Sequence, residues 1–110
     1  MSNPTRGPWT GRVLSGRYEV HELIGRGGMA DVYLGRDGRL GRNVAIKVLK
    51  STLSSDESAR HRFRNEAMAV SQMAHPTVVR VFDAGDEHDQ SDGQPAGSTT
   101  PFIVMEHVEG

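Results

Sequence analysis

The sequence predicts an α+β domain built from five short strands and one main helix. Three observations carry that expectation. Apolar residues recur with period two in short runs separated by glycine-containing turns. One stretch, opening near Glu57, changes to the helical period and is stopped by Pro76. A length of 110 residues, 35% of them hydrophobic, suffices for one small domain at most.

Residues 1–16 contain Pro4, Gly7, Pro8, Gly11 and Gly16 with little apolar content, so they read as a flexible lead-in with Trp9 as its only bulky anchor. A first strand is expected from Tyr18 to Ile24, with Tyr18, Val20 and Ile24 on one side and Glu19 and His21 on the other; Leu23 breaks the alternation. Val32, Tyr33 and Leu34 make a second strand, and the glycine turn between the two closes an antiparallel pair. Asp37-Gly38 and Leu40-Gly41 then mark a turn before the third strand, Asn43 to Leu49. Period two on that strand puts Val44, Ile46 and Val48 on one face and Ala45, Lys47 and Leu49 on the other.

Ser54-x-x-Glu57 has the form of a capping box, and Phe63, Ala67, Val70 and Ala74 follow it at helical spacing. Glu66 lies at the edge of that apolar stripe, where a carboxylate can reach a neighbouring strand. Two further strands, Val78 to Phe82 and Phe102 to Val108, are separated by a stretch from Asp86 to Pro101 without aromatic or branched aliphatic side chains. That stretch reads as a long solvated loop, tolerable because closure entropy grows slowly with length.

Composition narrows the function classes. The 13 basic and 14 acidic residues interleave to a net charge of −1, so neither a nucleic-acid footprint nor a basic membrane-binding stripe is expected. The absence of cysteine excludes disulfides and thiolate metal sites and fits a reducing compartment. No apolar run approaches the roughly 18 residues of a membrane span, and the segment from Met1 to Arg17 has no signal-type hydrophobic core. The histidines His21, His61, His75, His88 and His107 show no ligand spacing, so no metal site is expected.

The chemistry concentrates in Ile24-Gly25-Arg26-Gly27-Gly28-Met29-Ala30-Asp31-Val32, followed by Val44-Ala45-Ile46-Lys47 and then by Glu66. Gly25, Gly27 and Gly28 lack a Cβ, so the turn can lie close over a triphosphate and aim its N–H groups at it. A lysine on the next strand gives the phosphates a fixed positive charge, and a helical carboxylate can hold it in place. The same glycine spacing occurs in dinucleotide-binding folds, where it must open a helix and be followed about twenty residues later by an acid. Here it opens an apolar strand, and residues 45–50 contain no acid.

Five strands with one helix after the third resemble the N-terminal lobe of the protein kinase superfamily, over residues 17–110. More narrowly, Gly25-x-Gly27-Gly28-Met29, Phe63-x-x-Glu66, His75-Pro76 and Phe102-Ile103-Val104-Met105-Glu106 resemble the eukaryotic-like serine/threonine kinases of bacteria. The resemblance implies a five-stranded antiparallel sheet, with Ile24, Val32 and Ala45 roofing the adenine of ATP. It implies that Lys47 bridges the α- and β-phosphates while paired with Glu66. Met105 falls at the gatekeeper position, and Glu106-His107-Val108 falls on the hinge whose main chain reads the adenine edge. Val70 and Val81 would join the apolar stack that couples the helix to a second lobe.

Some look-alikes are set aside. Asp83-Ala84-Gly85 imitates a magnesium-binding Asp-Phe-Gly but precedes any catalytic loop and is expected as a turn. His61-Arg62-Phe63 imitates His-Arg-Asp without the aspartate, and Arg60, Arg62 and Arg64 read as a solvated helix face. Ala30 stands where the family has a third glycine, which predicts a slightly stiffer loop.

The sequence ends just past the hinge, so the second lobe, the catalytic aspartate and the Mg2+ ligands fall outside it. The expectation is therefore a cytoplasmic kinase acting on protein serine and threonine, of which this chain is the ATP-binding lobe, inactive alone. Similar bacterial receptors carry a membrane helix after the kinase domain. The alternative is a short form acting as a non-catalytic binding module or pseudokinase remnant. A lobe with its interface bare through Val70, Val81 and Val104 is also expected to self-associate.

Overall fold

The computed structural model describes residues 6–72, 81–88 and 99–107. They form β1 (Val13–Leu14), β2 (Tyr18–Arg26), β3 (Ala30–Asp37), β4 (Arg42–Leu49), β5 (Val81–His88) and β6 (Thr99–Glu106), with one α-helix, α1 (Glu57–Gln72), preceded by a 3-10 turn at Ser51–Leu53. The described strands make one antiparallel sheet in the order β1-β2-β3-β4-β6-β5, with α1 against its inner face. The expected α+β arrangement with one main helix is present, and β1 adds a sixth strand.

Alternation divides the apolar residues between two cores. Tyr18, Val20, Tyr33, Val44, Ile46, Val48, Phe102 and Val104 fill the outer one, where the rings of Tyr18 and Phe102 meet edge to face at 6.4 Å. Ala30, Leu49, Phe63 and Ile103 form the inner one beneath α1. The third expected strand thus divides its side chains as period two requires. Val104 departs from expectation: it is fully buried in the outer core, so it is not part of a bare lobe interface.

The lead-in also departs from expectation. From Trp9 onward it is packed: the indole is buried, its backbone N–H donates to the Tyr33 hydroxyl at 3.4 Å, and the Arg12 guanidinium lies 3.8 Å from the ring centroid. A Cβ at Gly7 would meet the Tyr33 hydroxyl oxygen at 2.5 Å, so the strap can approach this closely only with glycine there. Leu14 is fully buried, and Ser15 and Gly16 take positive φ in the tight turn to β2. Little hydrophobicity was needed, because two well-placed side chains anchor the segment.

Three local expectations shift. Asp56, not Ser54, caps α1: its Oδ1 accepts from the backbone N–H groups of Ser58 at 2.9 Å and Ala59 at 3.3 Å, while the Ser54 hydroxyl donates to the Ser51 carbonyl. Asp83-Ala84-Gly85 lies within β5 beside a register irregularity and is not a turn. The ladder of β5 and β6 runs out to His88 and Thr99, so both ends of the expected loop from Asp86 to Pro101 are strand. Residues 78–80 of the expected fourth strand lie outside the described residues.

Candidate nucleotide-binding site

Cross-strand pairing assembles the inner face. Val32 pairs with Lys47, Leu34 with Ala45 and Ala30 with Leu49 across β3 and β4. Lys47 pairs in turn with Ile103 and Ala45 with Met105 across β4 and β6, while Gly25 pairs with Val32 across β2 and β3. Side chains of paired residues share a face, so Val32, Ala45, Lys47 and Met105 stand together on the side that carries α1. Lys47 is partly buried, as a lysine stem crossing an apolar surface should be.

Gly27, Gly28 and Met29 turn β2 directly into β3, with the Gly27 N–H donating to the Ala30 carbonyl at 2.9 Å. The glycine stretch therefore closes a hairpin and opens no helix, which removes the dinucleotide-binding alternative. A Cβ on Gly27 would stand 2.9 Å from the Ala30 oxygen, so this position needs glycine for close backbone approach. Gly28 has open space around it, and Arg26 is exposed at the end of β2. Met29 and Ala30 turn inward instead: Ala30 is buried against Leu49, Phe63 and Ile103, and Met29 packs beside them. The methyl that distinguishes Ala30 from glycine is used to anchor the hairpin to the inner core.

Ile24 sits at a bulge between the Leu23 and Gly25 pairings and is 49% exposed. Asp31 does not join the inner face. It pairs with Val48, shares the outer face with Tyr33, and its Oδ1 lies 3.7 Å from Lys50 Nζ. A site role inferred from hairpin position overlooked the strand's alternation. Glu106 is exposed and pairs with Val44 of the outer face, which leaves its main chain as the part able to read a nucleotide edge. The helix backbone at Glu66 belongs to α1, but its side chain and that of Val70, like all of Val108, lie outside the described residues.

Sequence reasoning missed the attachment of α1. Arg60 Nη1 donates to the carbonyls of Ser54 at 2.8 Å and Thr99 at 2.7 Å, and its Nη2 donates to Asp86 and to the Thr99 hydroxyl. Arg64 Nη2 donates to both Asp86 oxygens, at 3.0 and 2.9 Å. Arg60 is thus a latch between helix and sheet and departs from the expected solvated face, whereas Arg64 reaches Asp86 from an exposed position and His61 and Arg62 are exposed as expected. Their charge was legible, but the partner Asp86 lay in what read as loop.

Known proteins share this arrangement. The protein kinase domain family matches residues 18–110. Serine/threonine-protein kinase PksC of Streptomyces coelicolor is 48% identical over 106 residues, covering 96% of this chain and 18% of that protein. Serine/threonine-protein kinase PknB of Mycobacterium tuberculosis is 47% identical over 97 residues, 88% of this chain and 14% of that protein. The chain thus spans less than a fifth of either relative's length. Among solved structures, the PknI kinase domain of Mycobacterium tuberculosis superposes with a TM-score of 0.62 at 29% identity, covering 92% of this chain and 36% of that one. The PpkA-294 apo form shares the fold, with a TM-score of 0.70 at 22% identity over 96% of this chain and 40% of that one. A glycine hairpin, a lysine strand and a following helix occur here in the family's order over most of the sequence, and the chain belongs to the protein kinase domain family.

Proposed function

We propose that the inner face binds ATP and that the protein carrying this chain transfers its γ-phosphoryl group to serine or threonine hydroxyls of proteins. The observation that carries the reading is the pairing that sets Val32, Lys47 and Ala45 on one face beneath the glycine hairpin. Ile24, Val32, Ala45 and Met105 supply apolar surface for a purine, and the small Ala45 leaves room for a flat ring between the strands. The main chain of Glu106 to Val108 offers the hydrogen-bonding groups at the purine edge.

The Lys47 ammonium neutralises phosphate charge, and Glu66 on α1 is the carboxylate that keeps it oriented. The hairpin from Gly25 to Ala30 lies over the phosphates and excludes water. Phosphoryl transfer is mostly positioning and charge stabilisation, so a lysine held in one place by strand and helix contributes through geometry. Mg2+, when bound, would supply charge neutralisation at the phosphates; its ligands, the catalytic aspartate and the peptide groove are not among these 110 residues, so the chain alone is expected to be inactive.

The test uses the full-length protein with radiolabelled ATP, Mg2+ and a generic acceptor protein. Lys47→Met should lower transfer by at least about 100-fold, on the scale expected for loss of a charge that stabilises the transition state. Wild-type labelling without dependence on Lys47 would overturn the proposal.

A further inference from the structure

Asp31, which the register removes from the nucleotide face, lines a cavity of about 150 Å3 on the outer side of the sheet. Pro8 and Trp9 of the N-terminal segment, Tyr33 and Val48 of the sheet, and Lys50, Ser51 and Thr52 after β4 also line it. The Asp31 carboxylate is the anomaly here. Its Oδ1 is buried and accepts no hydrogen bond, and Lys50 Nζ stands 3.7 Å from it, too far for one. A buried acceptor left without a donor is costly, and such groups in folded proteins commonly mark a place that something else completes.

We infer that this cavity is a second ligand site, for a small uncharged molecule that presents a primary carboxamide on a flat ring. The acid and the amine are separated by more than a hydrogen bond, so a group with a donor and an acceptor side by side can serve both: its N–H to Asp31 Oδ1, its C=O to Lys50 Nζ. Exposed Pro8 and the accessible rim of the Trp9 indole suit an apolar body. Charge argues for a neutral ligand. Asp31 and Lys50 are the two charged residues that line the cavity and their charges cancel, so a ligand there needs no compensating charge.

The site is joined to the glycine hairpin. Asp31 precedes Val32, and the Lys50 backbone N–H donates to the Met29 carbonyl at 3.0 Å, so both polar groups of the cavity are fixed to the turn that lies over the inner face. A ligand bridging Asp31 and Lys50 therefore steadies the hairpin from the side opposite the nucleotide.

Benzamide is the probe, titrated into the full-length protein labelled with 5-fluorotryptophan, with ADP saturating so that the nucleotide face is occupied. The Trp9 fluorine resonance should shift saturably, and benzoate should leave it unmoved. Asp31→Leu should weaken benzamide at least tenfold. Ser51→Phe, an exposed position at the cavity mouth, should do the same and serves as the test should Asp31→Leu fail to fold. No saturable shift, or the same titration in a folded variant as in the wild type, would show that solvent alone fills the cavity. The Trp9 signal also separates this outcome from failure of the ATP reading, which the Lys47→Met assay judges independently.

Discussion

Arg17 grips Asp37 through two nitrogens, Nε and Nη2, each 2.9 Å from a different carboxylate oxygen, and so ties the start of β2 to the end of β3. Asp37 Oδ1 also accepts from the backbone N–H groups of Arg39 and Leu40, which shapes the turn into β4. The carboxyl is almost wholly enclosed, with 1% of its side chain exposed. One acidic side chain thus organises both the hairpin turn and its attachment to the neighbouring strand.

That arrangement makes stability depend on acid. The Arg17 guanidinium first, and then the Leu40 and Arg39 N–H groups, hold the Asp37 carboxyl well below the usual carboxylate range against the opposing effect of burial. A carboxyl so depressed stabilises the fold at pH values above its unfolded pKa of about 3.9 and loses that contribution as pH falls toward the folded value. Asp37→Asn should lower the urea midpoint at pH 7 and flatten its decline below about pH 4. An unchanged acid limb in the variant would contradict this.

Alkaline conditions test the outer core. Burial, reinforced by a 2.7 Å hydrogen bond from its hydroxyl to Asp83, pushes the Tyr18 phenol up to about 12. Because the neutral phenol is favoured by folding, its contribution is complete below an unfolded pKa of about 10 and disappears as pH rises through the folded value. Absorbance at 295 nm should show a late-titrating tyrosine that Tyr18→Phe removes.

The helix latch is open to substitution. Arg60→Ala removes donors to Ser54, Thr99 and Asp86 together, and should cost roughly 1–2 kcal/mol, since Asp86 keeps some solvent contact. Amides of α1 should then exchange faster with solvent than those of β3 and β4. Uniform exchange changes across the sheet would indicate a global effect and not a latch.

Phe63 is the apolar counterpart of that latch, buried against Ala30, Leu49 and Ile103. Phe63→Ala should destabilise by about 3–5 kcal/mol, as truncation of an enclosed aromatic does. Denaturant unfolding of the full-length protein reads the loss, and Phe63→Leu should recover most of it.

The candidate site was legible to the extent that it depends on alternation. Ala45 and Lys47 share a face because they are two residues apart on β4, and the hairpin could be read from glycines between two apolar runs. Asp31 was misread because its neighbours in sequence, Ala30 and Val32, face inward while it faces out. The cap of α1 was misplaced by two residues because Ser54 and Asp56 are both suitable caps, and the 3-10 turn from Ser51 to Leu53 decides between them.

By itself the sequence determined the order of strands and helix, the two faces of the lysine strand and the glycine turn, all consequences of local periodicity and backbone freedom. Only the tertiary structure decided that Trp9 straps the outer core through Tyr33, that Arg60 and Arg64 meet Asp86, and that Asp31 looks into a cavity with Lys50. Those outcomes depend on packing and hydrogen bonding between segments that meet only when the sheet is assembled, and short-range pattern carries no record of which segments will meet.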